Sequence, residues 1–305
     1  MPVLVNAALL ARWPLPTPPV DGDKEGRGRV LIVGGARQMP GAVILAATAA
    51  LRVGAGKLQI ATVSSVATSV GVAMPEAFVH AVPETRDGGF HAAAVRTLPQ
   101  ICKAAGAIVL GPGMIENRAL APLVLAILRS LTAENIVVLD AGALTVLHEH
   151  RERLPELACR LVVTPHAGEM AKLMGDDKDA IKDARLQTVQ NAARDLNAVA
   201  ILKGAETFVC DGKTTYRNVA GNPGLATSGS GDTLSGLIAG LIARGASPIQ
   251  AAVWGVHLHA CAGEALAQKL APLGYLPREL LGEIPALMAS FAPLQSLKKS
   301  KKNTA

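Results

Sequence analysis

The chain has 305 residues, 50% of them hydrophobic but only 3% aromatic. That length suits one large α/β domain or two small ones, with a core built from Ala, Val, Leu and Ile. The net charge is +6, but Lys298, Lys299, Lys301 and Lys302 carry four of those charges at the very end, leaving +2. A solvated tail explains the basic balance better than a nucleic-acid surface, and aromatic residues are too few for base stacking.

Residues 1–27 read as an N-terminal extension. An apolar patch, Val3 to Ala11, is expected to dock as a short helix, and Pro14, Pro16, Pro18 and Pro19 hold the chain beyond it extended. The patch lacks a basic n-region and so does not read as a signal peptide. No apolar run reaches transmembrane length without Gly, Pro or charge. Cys102, Cys159, Cys210 and Cys261 stand far apart without a CxxC pair, which predicts reduced thiols, no zinc site and a cytoplasmic location.

From Arg29 the pattern becomes strand, glycine turn, helix. Arg29 to Val33 runs into Gly34-Gly35-Ala36, and a small-residue helix covers Ala42 to Arg52. The intervening loop lacks GxGxxG spacing, which excludes a standard dinucleotide fingerprint. Lys57 to Val63 and Ala77 to Val82 are the next expected strands. Ile101 to Leu110 leads through another into Gly111-Pro112-Gly113-Met114. Ile136 to Asp140, Leu161 to His166 and Ala198 to Leu202 each end a strand, followed by Ala141-Gly142, by Ala167-Gly168-Glu169 and by Lys203-Gly204. Thr207 to Cys210 and Thr214 to Tyr216 flank an Asp211-Gly212 turn and predict a hairpin. A long helix is expected from Pro248 to about Leu270. Strands alternating with helices predict a doubly wound, mostly parallel sheet covered on both faces. The main domain is set at 28–290, and 291–305 is the basic tail.

Gly113, Asp140, His166, Lys203 and the loop Gly229-Ser230-Gly231-Asp232 all follow strand C-termini, the edge where open parallel sheets bind ligands. The last loop turns into an apolar helix, so its glycines and free N–H groups suit a phosphate. Asp232 then stands in the first helical turn, either as a helix cap or as a base beside the bound anion. Asp140 either caps the next segment or holds a metal-bound water. His166 is either structural or a neutral donor to a ligand. Lys203 is either solvated or a phosphate contact. His257 and His259 are read as packing residues or as neighbours of an adenine pocket.

The segments GGARQMPGA, GPGM, LDAGAL, TPHAGE, ILKGAET and NPGLATSGSGD, in that order, resemble the ADP/ATP-dependent NAD(P)H-hydrate dehydratases of the ribokinase-like superfamily. The resemblance covers about Gly28 to Leu270. It implies a ribokinase-like three-layer fold without the epimerase domain that some members carry at their N-terminus. It implies that the chain dehydrates the S-form of NADHX or NADPHX to NAD(P)H, driven by ADP or ATP with Mg²⁺. By position, Ala42, Gly113, His166 and Asp232 match the site for the hydrated dinucleotide. Lys203, Gly204, Ala205, Glu206, Thr207 and Gly231 match the adenine-nucleotide site, and Ser230 joins them through its amide in the same loop. Asp232 is the expected catalytic base, and no protein metal ligand is assigned. Ser228 stands where a glycine is more usual. The resemblance also implies a homo-oligomer, with a tetramer as one form. The competing reading is a ribokinase-like kinase that phosphorylates a vitamin precursor or sugar alcohol.

Overall fold

The computed structural model describes residues 1–17 and 23–291. The basic tail expected at the C-terminus lies outside the described residues, apart from Phe291.

Ten strands form one sheet. They are β1 (Val3–Leu4), β2 (Arg29–Val33), β3 (Lys57–Val63), β4 (Ala77–Val82), β5 (Ala107–Leu110), β6 (Ile136–Leu139), β7 (Arg160–Val163), β8 (Ala198–Leu202), β9 (Thr207–Cys210) and β10 (Thr215–Asn218). Their order is β1-β10-β9-β8-β7-β6-β5-β2-β3-β4. The stretch from β8 to β4 is parallel throughout, whereas β9 runs antiparallel to both β8 and β10.

Side chains alternate along each strand, so one strand feeds two cores. Val30 and Ile32 point into one cluster, and Leu31 and Val33 into the other. The first core is capped by the helices Gly41–Arg52, Ser230–Ala243, Pro248–Lys269 and Pro277–Phe291. The second lies under Leu120–Ser130, Ala167–Met174 and Arg185–Asp195. This is the three-layer, doubly wound α/β architecture expected from the alternating pattern.

Three local differences have plain causes. The strand sought within Ile101 to Leu110 begins only at Ala107, because Leu98–Lys103 folds as a helix with Pro99 in its first turn. The helix Pro277–Phe291 is additional to the elements expected from the sequence; Pro285 inside it interrupts the usual signal. The N-terminal segment does dock a helix, Ala7–Arg12, with Leu10 fully buried, and also adds β1 to the sheet beside β10. Two residues are too few for strand alternation to show.

The topology fixes where ligands can bind. The chain leaves β2 toward β3 and β4, then returns to the other side of β2 to lay down β5. Loops after β2 and β5 therefore flank a topological switch point. There the two glycine turns lock together. Gly35 N donates to Pro112 O and Ala36 N to Gly113 O, both at 2.8 Å. A Cβ on Gly34 would lie 2.1 Å from Pro112 O, so only glycine permits this approach.

Candidate active site

Asp140, His166, Lys203 and the Gly229–Asp232 loop converge on the sheet edge. Each is delivered by the end of a strand or the start of a helix. Lys203 N donates to Pro165 O at 2.9 Å, and His166 and Lys203 form an isolated parallel bridge, so the loops after β7 and β8 run side by side.

Asp140 is 2% exposed and does not cap the helix that follows it. Its Oδ1 instead accepts from Thr164 Oγ1 at 2.7 Å and from Lys203 Nζ at 3.3 Å. Lys203 Nζ also stands 3.7 Å from Glu169 Oε2. Burial alone would lower the Lys203 ammonium, but the carboxylates of Asp140 and Glu169 outweigh it and hold its pKa above the ordinary value. Ala141, next to Asp140, has φ 46°, a left-handed backbone rare for a residue with a Cβ. Strain of that kind concentrates at functional sites.

Asp232 lies in the first turn of Ser230–Ala243, and that helix has no side-chain cap. The capping alternative is thus set aside. Burial, then the like charge of Asp140, push its carboxyl up to about 7, against the opposing pull of Lys203. A carboxylate that binds its proton near neutrality is suited to general-base work.

Gly229 takes φ 92° at the entry to the helix, a conformation that suits glycine. Ser228 is exposed and keeps an ordinary negative φ, so its departure from glycine strains nothing. Ser230 N donates to Thr227 O, and Thr233 N to Gly229 O. Among the described residues the N–H groups of Gly231 and Asp232 have no backbone acceptor. They are the open donors of this helix terminus. The amide of Ser230, expected among the anion contacts, is engaged within the loop. Gly231 faces the charged cluster: a Cβ there would sit 3.4 Å from Lys203 Nζ and 3.8 Å from Asp140 Oδ2.

His166 does two jobs. Its Nδ1 accepts from Gly168 N at 3.0 Å and Glu169 N at 3.2 Å, while Glu169 Oε2 accepts from His166 N at 2.9 Å. This reciprocal capping box starts Ala167–Met174. An Nδ1 that accepts must be unprotonated, so a neutral ring carries its proton on Nε2. That nitrogen stands 3.6 Å from Glu169 Oε2, and the side chain is 59% exposed and so accessible to a ligand.

Ala42 and Gly113 meet directly: a Cβ on Gly113 would lie 2.9 Å from that of Ala42. The loop after β5 also reaches the Asp140 loop, for a Cβ on Gly111 would lie 1.8 Å from Asp140 O. The expected dinucleotide residues therefore line connected loops. Across the edge, Gly204 and Ala205 are exposed in the turn between β8 and β9, and Thr207 Oγ1 donates to Gly204 O at 3.4 Å. The Glu206 carboxylate is taken up by Arg217 in a two-point ion pair. Arg185 Nη2 donates to Leu202 O and to Glu206 O.

Thr164, Glu169, Arg185 and Arg217 carry no role in the sequence reading. Only Glu169 leaves a signal, in its three-residue spacing from His166, which is that of a capping box. His257 Nδ1 pairs with Asn218 Oδ1 at 2.9 Å, whereas His259 Nε2 lies 3.0 Å from Ser230 Oγ and so touches the glycine loop itself.

A protein-family model described as NAD(P)H-hydrate dehydratase matches residues 30–286. The chain belongs to the NAD(P)H-hydrate dehydratase family. Among family members, the ADP-dependent (S)-NAD(P)H-hydrate dehydratase of Xanthomonas campestris pv. campestris is 48% identical over 93% of this chain and 95% of its own length. That of Lactiplantibacillus plantarum is 33% identical over 91% and 94%. The ADP/ATP-dependent NAD(P)H-hydrate dehydratase from Bacillus subtilis, co-crystallised with ATP/Mg²⁺, superposes with a TM-score of 0.82 at 28% identity, covering 95% of this chain and 99% of that one. The chain spans 53% of the bifunctional NAD(P)H-hydrate repair enzyme of Moorella thermoacetica, to which it is 37% identical.

Proposed function

We propose that the chain is a nucleotide-repair lyase that dehydrates the S-form of NADHX or NADPHX to NAD(P)H, with ADP as the driving co-substrate. The observation that carries this is Asp232, a carboxylate raised to about 7 in the helix turn that holds two open amides, with Lys203 against the neighbouring Gly231.

Hydroxide is a poor leaving group. In this reading Asp232 takes the proton of the substrate hydroxyl as its oxygen forms a bond to the terminal phosphorus of ADP, and the bond from that phosphorus to AMP breaks. The C–O bond then breaks, phosphate departs with the electron pair, and the ring double bond re-forms as the adjacent carbon gives up its proton to water. The N–H groups of Gly231 and Asp232, with Lys203, stabilise the charge on the transferred group. The Nε2–H of His166, with Ala42 and Gly113, holds the hydrated dinucleotide. The turn Lys203–Thr207 receives the adenine nucleotide.

Among the described residues no three ligating side chains converge on one point. In this reading Mg²⁺ would be carried by the phosphates and water, with Asp140 alongside, since that ion keeps several waters. Bound there it would neutralise phosphate charge. No helix among the described residues is long and apolar enough to cross a membrane. Four free cysteines, three of them buried, support a cytoplasmic location. A homo-oligomer, the tetramer included, is part of the proposal, and sedimentation of the purified protein tests it.

The test of the activity is direct. Purified protein with NADHX, Mg²⁺ and ADP or ATP should restore the absorbance of reduced nicotinamide and release AMP or ADP with phosphate. A phosphorylated product that persists would instead favour a small-molecule kinase.

A further inference from the structure

Ser230 opens the helix that carries Asp232, yet its side chain faces away from the site. The hydroxyl is buried, at 5% residue exposure, and shares a hydrogen bond of 3.0 Å with His259 Nε2. His259 is itself only 9% exposed and comes from the middle of the neighbouring helix Pro248–Lys269. On the other side, the Ser230 amide donates to Thr227 O. Ser230 is therefore held at two points, by the loop and by the core. The next two residues supply the open amides and the carboxylate.

An imidazole in this position costs desolvation that a leucine of similar size would avoid. Burial, then the Lys203 cation, push its pKa down to about 4, so it stays neutral across the working range of an enzyme. It is thus a fixed polar anchor and not a charge facing the phosphate. Without the hydroxyl anchor the Ser230 backbone is held only through its amide, and its ψ sets the peptide plane between Ser230 and Gly231 and with it the Gly231 N–H.

We propose that His259 is a positioning residue, which acts through the Ser230 hydroxyl to aim the Gly231 amide and the Asp232 carboxylate at the transferred group. The proposal rests on the roles assigned to Asp232 and Gly231 in the proposed reaction. It adds a function for a histidine buried behind the glycine loop.

The test is a double-mutant cycle in steady-state turnover of NADHX with ADP and Mg²⁺, using Ser230→Ala, His259→Leu and the pair, with His259→Gln as the conservative variant. A misaimed donor costs less than the 10²–10³ of a deleted one, so each single change should lower kcat by about tenfold with KM for NADHX little altered. The pair should be no worse than either single, because both remove the same contact. His259→Gln, which can still reach the hydroxyl, should recover most of the loss. Parent-like kcat in Ser230→Ala overturns the proposal even if His259→Leu fails to fold, and so does a double variant whose loss is the product of the singles. Asp232→Asn run in parallel separates the two claims: parent-like turnover there removes the base itself, whereas its collapse beside an active Ser230→Ala removes only the positioning role.

Discussion

Lys203 Nζ lies 3.3 Å from Asp140 Oδ1 and joins the ends of β6 and β8 across β7. This one cation answers the charge of Asp140, Glu169 and Asp232. Its removal should therefore act mainly through its neighbours. In Lys203→Met the Asp232 proton should be held more tightly, because a cation that lowers its pKa is gone. We expect weaker ADP binding and a pH–rate profile displaced to higher pH. A profile at the parent's position would disconnect Lys203 from the base.

Asp232 must be deprotonated to act as a base, so kcat should rise with pH through about 7. Asp232→Asn should lose about 10²–10⁴ in turnover while ADP still binds. The stability effect has the opposite sense. The folded state binds this proton more tightly than the unfolded chain does, so the contribution is present at low pH and lost as pH rises through about 7. The Asn variant should thus melt above the parent at pH 8, with the gap shrinking toward pH 4. A gap that grows on acidification would contradict the raised pKa.

His166 permits its two jobs to be separated. His166→Ala removes the cap and the Nε2–H together and should cost about 1 kcal/mol of stability besides raising KM for NADHX. His166→Asn keeps a capping oxygen, so its thermal midpoint should stay near the parent's while the KM defect remains. ADP affinity, read by calorimetry, should be little changed in both. Loss of ADP binding with NADHX binding kept would exchange the two pockets.

Gly231→Val should fold and lose the rise in melting temperature that ADP confers. The added Cβ meets Lys203 Nζ at 3.4 Å and Asp140 Oδ2 at 3.8 Å, both ordinary contacts, but it occupies the space expected for phosphate. Gly236→Ala, one turn further on, is the contrast. Its Cβ would sit 2.1 Å from Ala46 O, so it should destabilise the fold outright. A Gly231→Val protein with the parent's full ADP shift would move the nucleotide elsewhere.

Much of this is legible in the chain because parallel strands write themselves as short apolar runs with functional residues at their ends. Lys57–Val63 and Ala77–Val82 carry that signature, and Asp140, His166 and Lys203 each follow such a run, whereas Asp232 is marked by the glycine loop that opens its helix. Pairings between distant segments carry no such local mark. Arg217 with Glu206, Thr164 with Asp140, and His259 with Ser230 depend on which loops the sheet order brings together. The sequence leaves the two roles of His166 as alternatives, but its two ring nitrogens can serve both.

The helices Gly41–Arg52 and Ser230–Ala243 touch backbone to backbone, since Gly236 and Gly240 leave no side chain between them and the carbonyls of Ala46 and Ala50. One helix carries Ala42 near its start and the other carries Asp232. Bound so closely, they are packed as one unit, and under the proposed roles of Ala42 and Asp232 the gap between the substrate's seat and its base is set when the protein folds. The helix pair in this reading is an anvil, and substitutions that loosen it should harm turnover without touching either ligand.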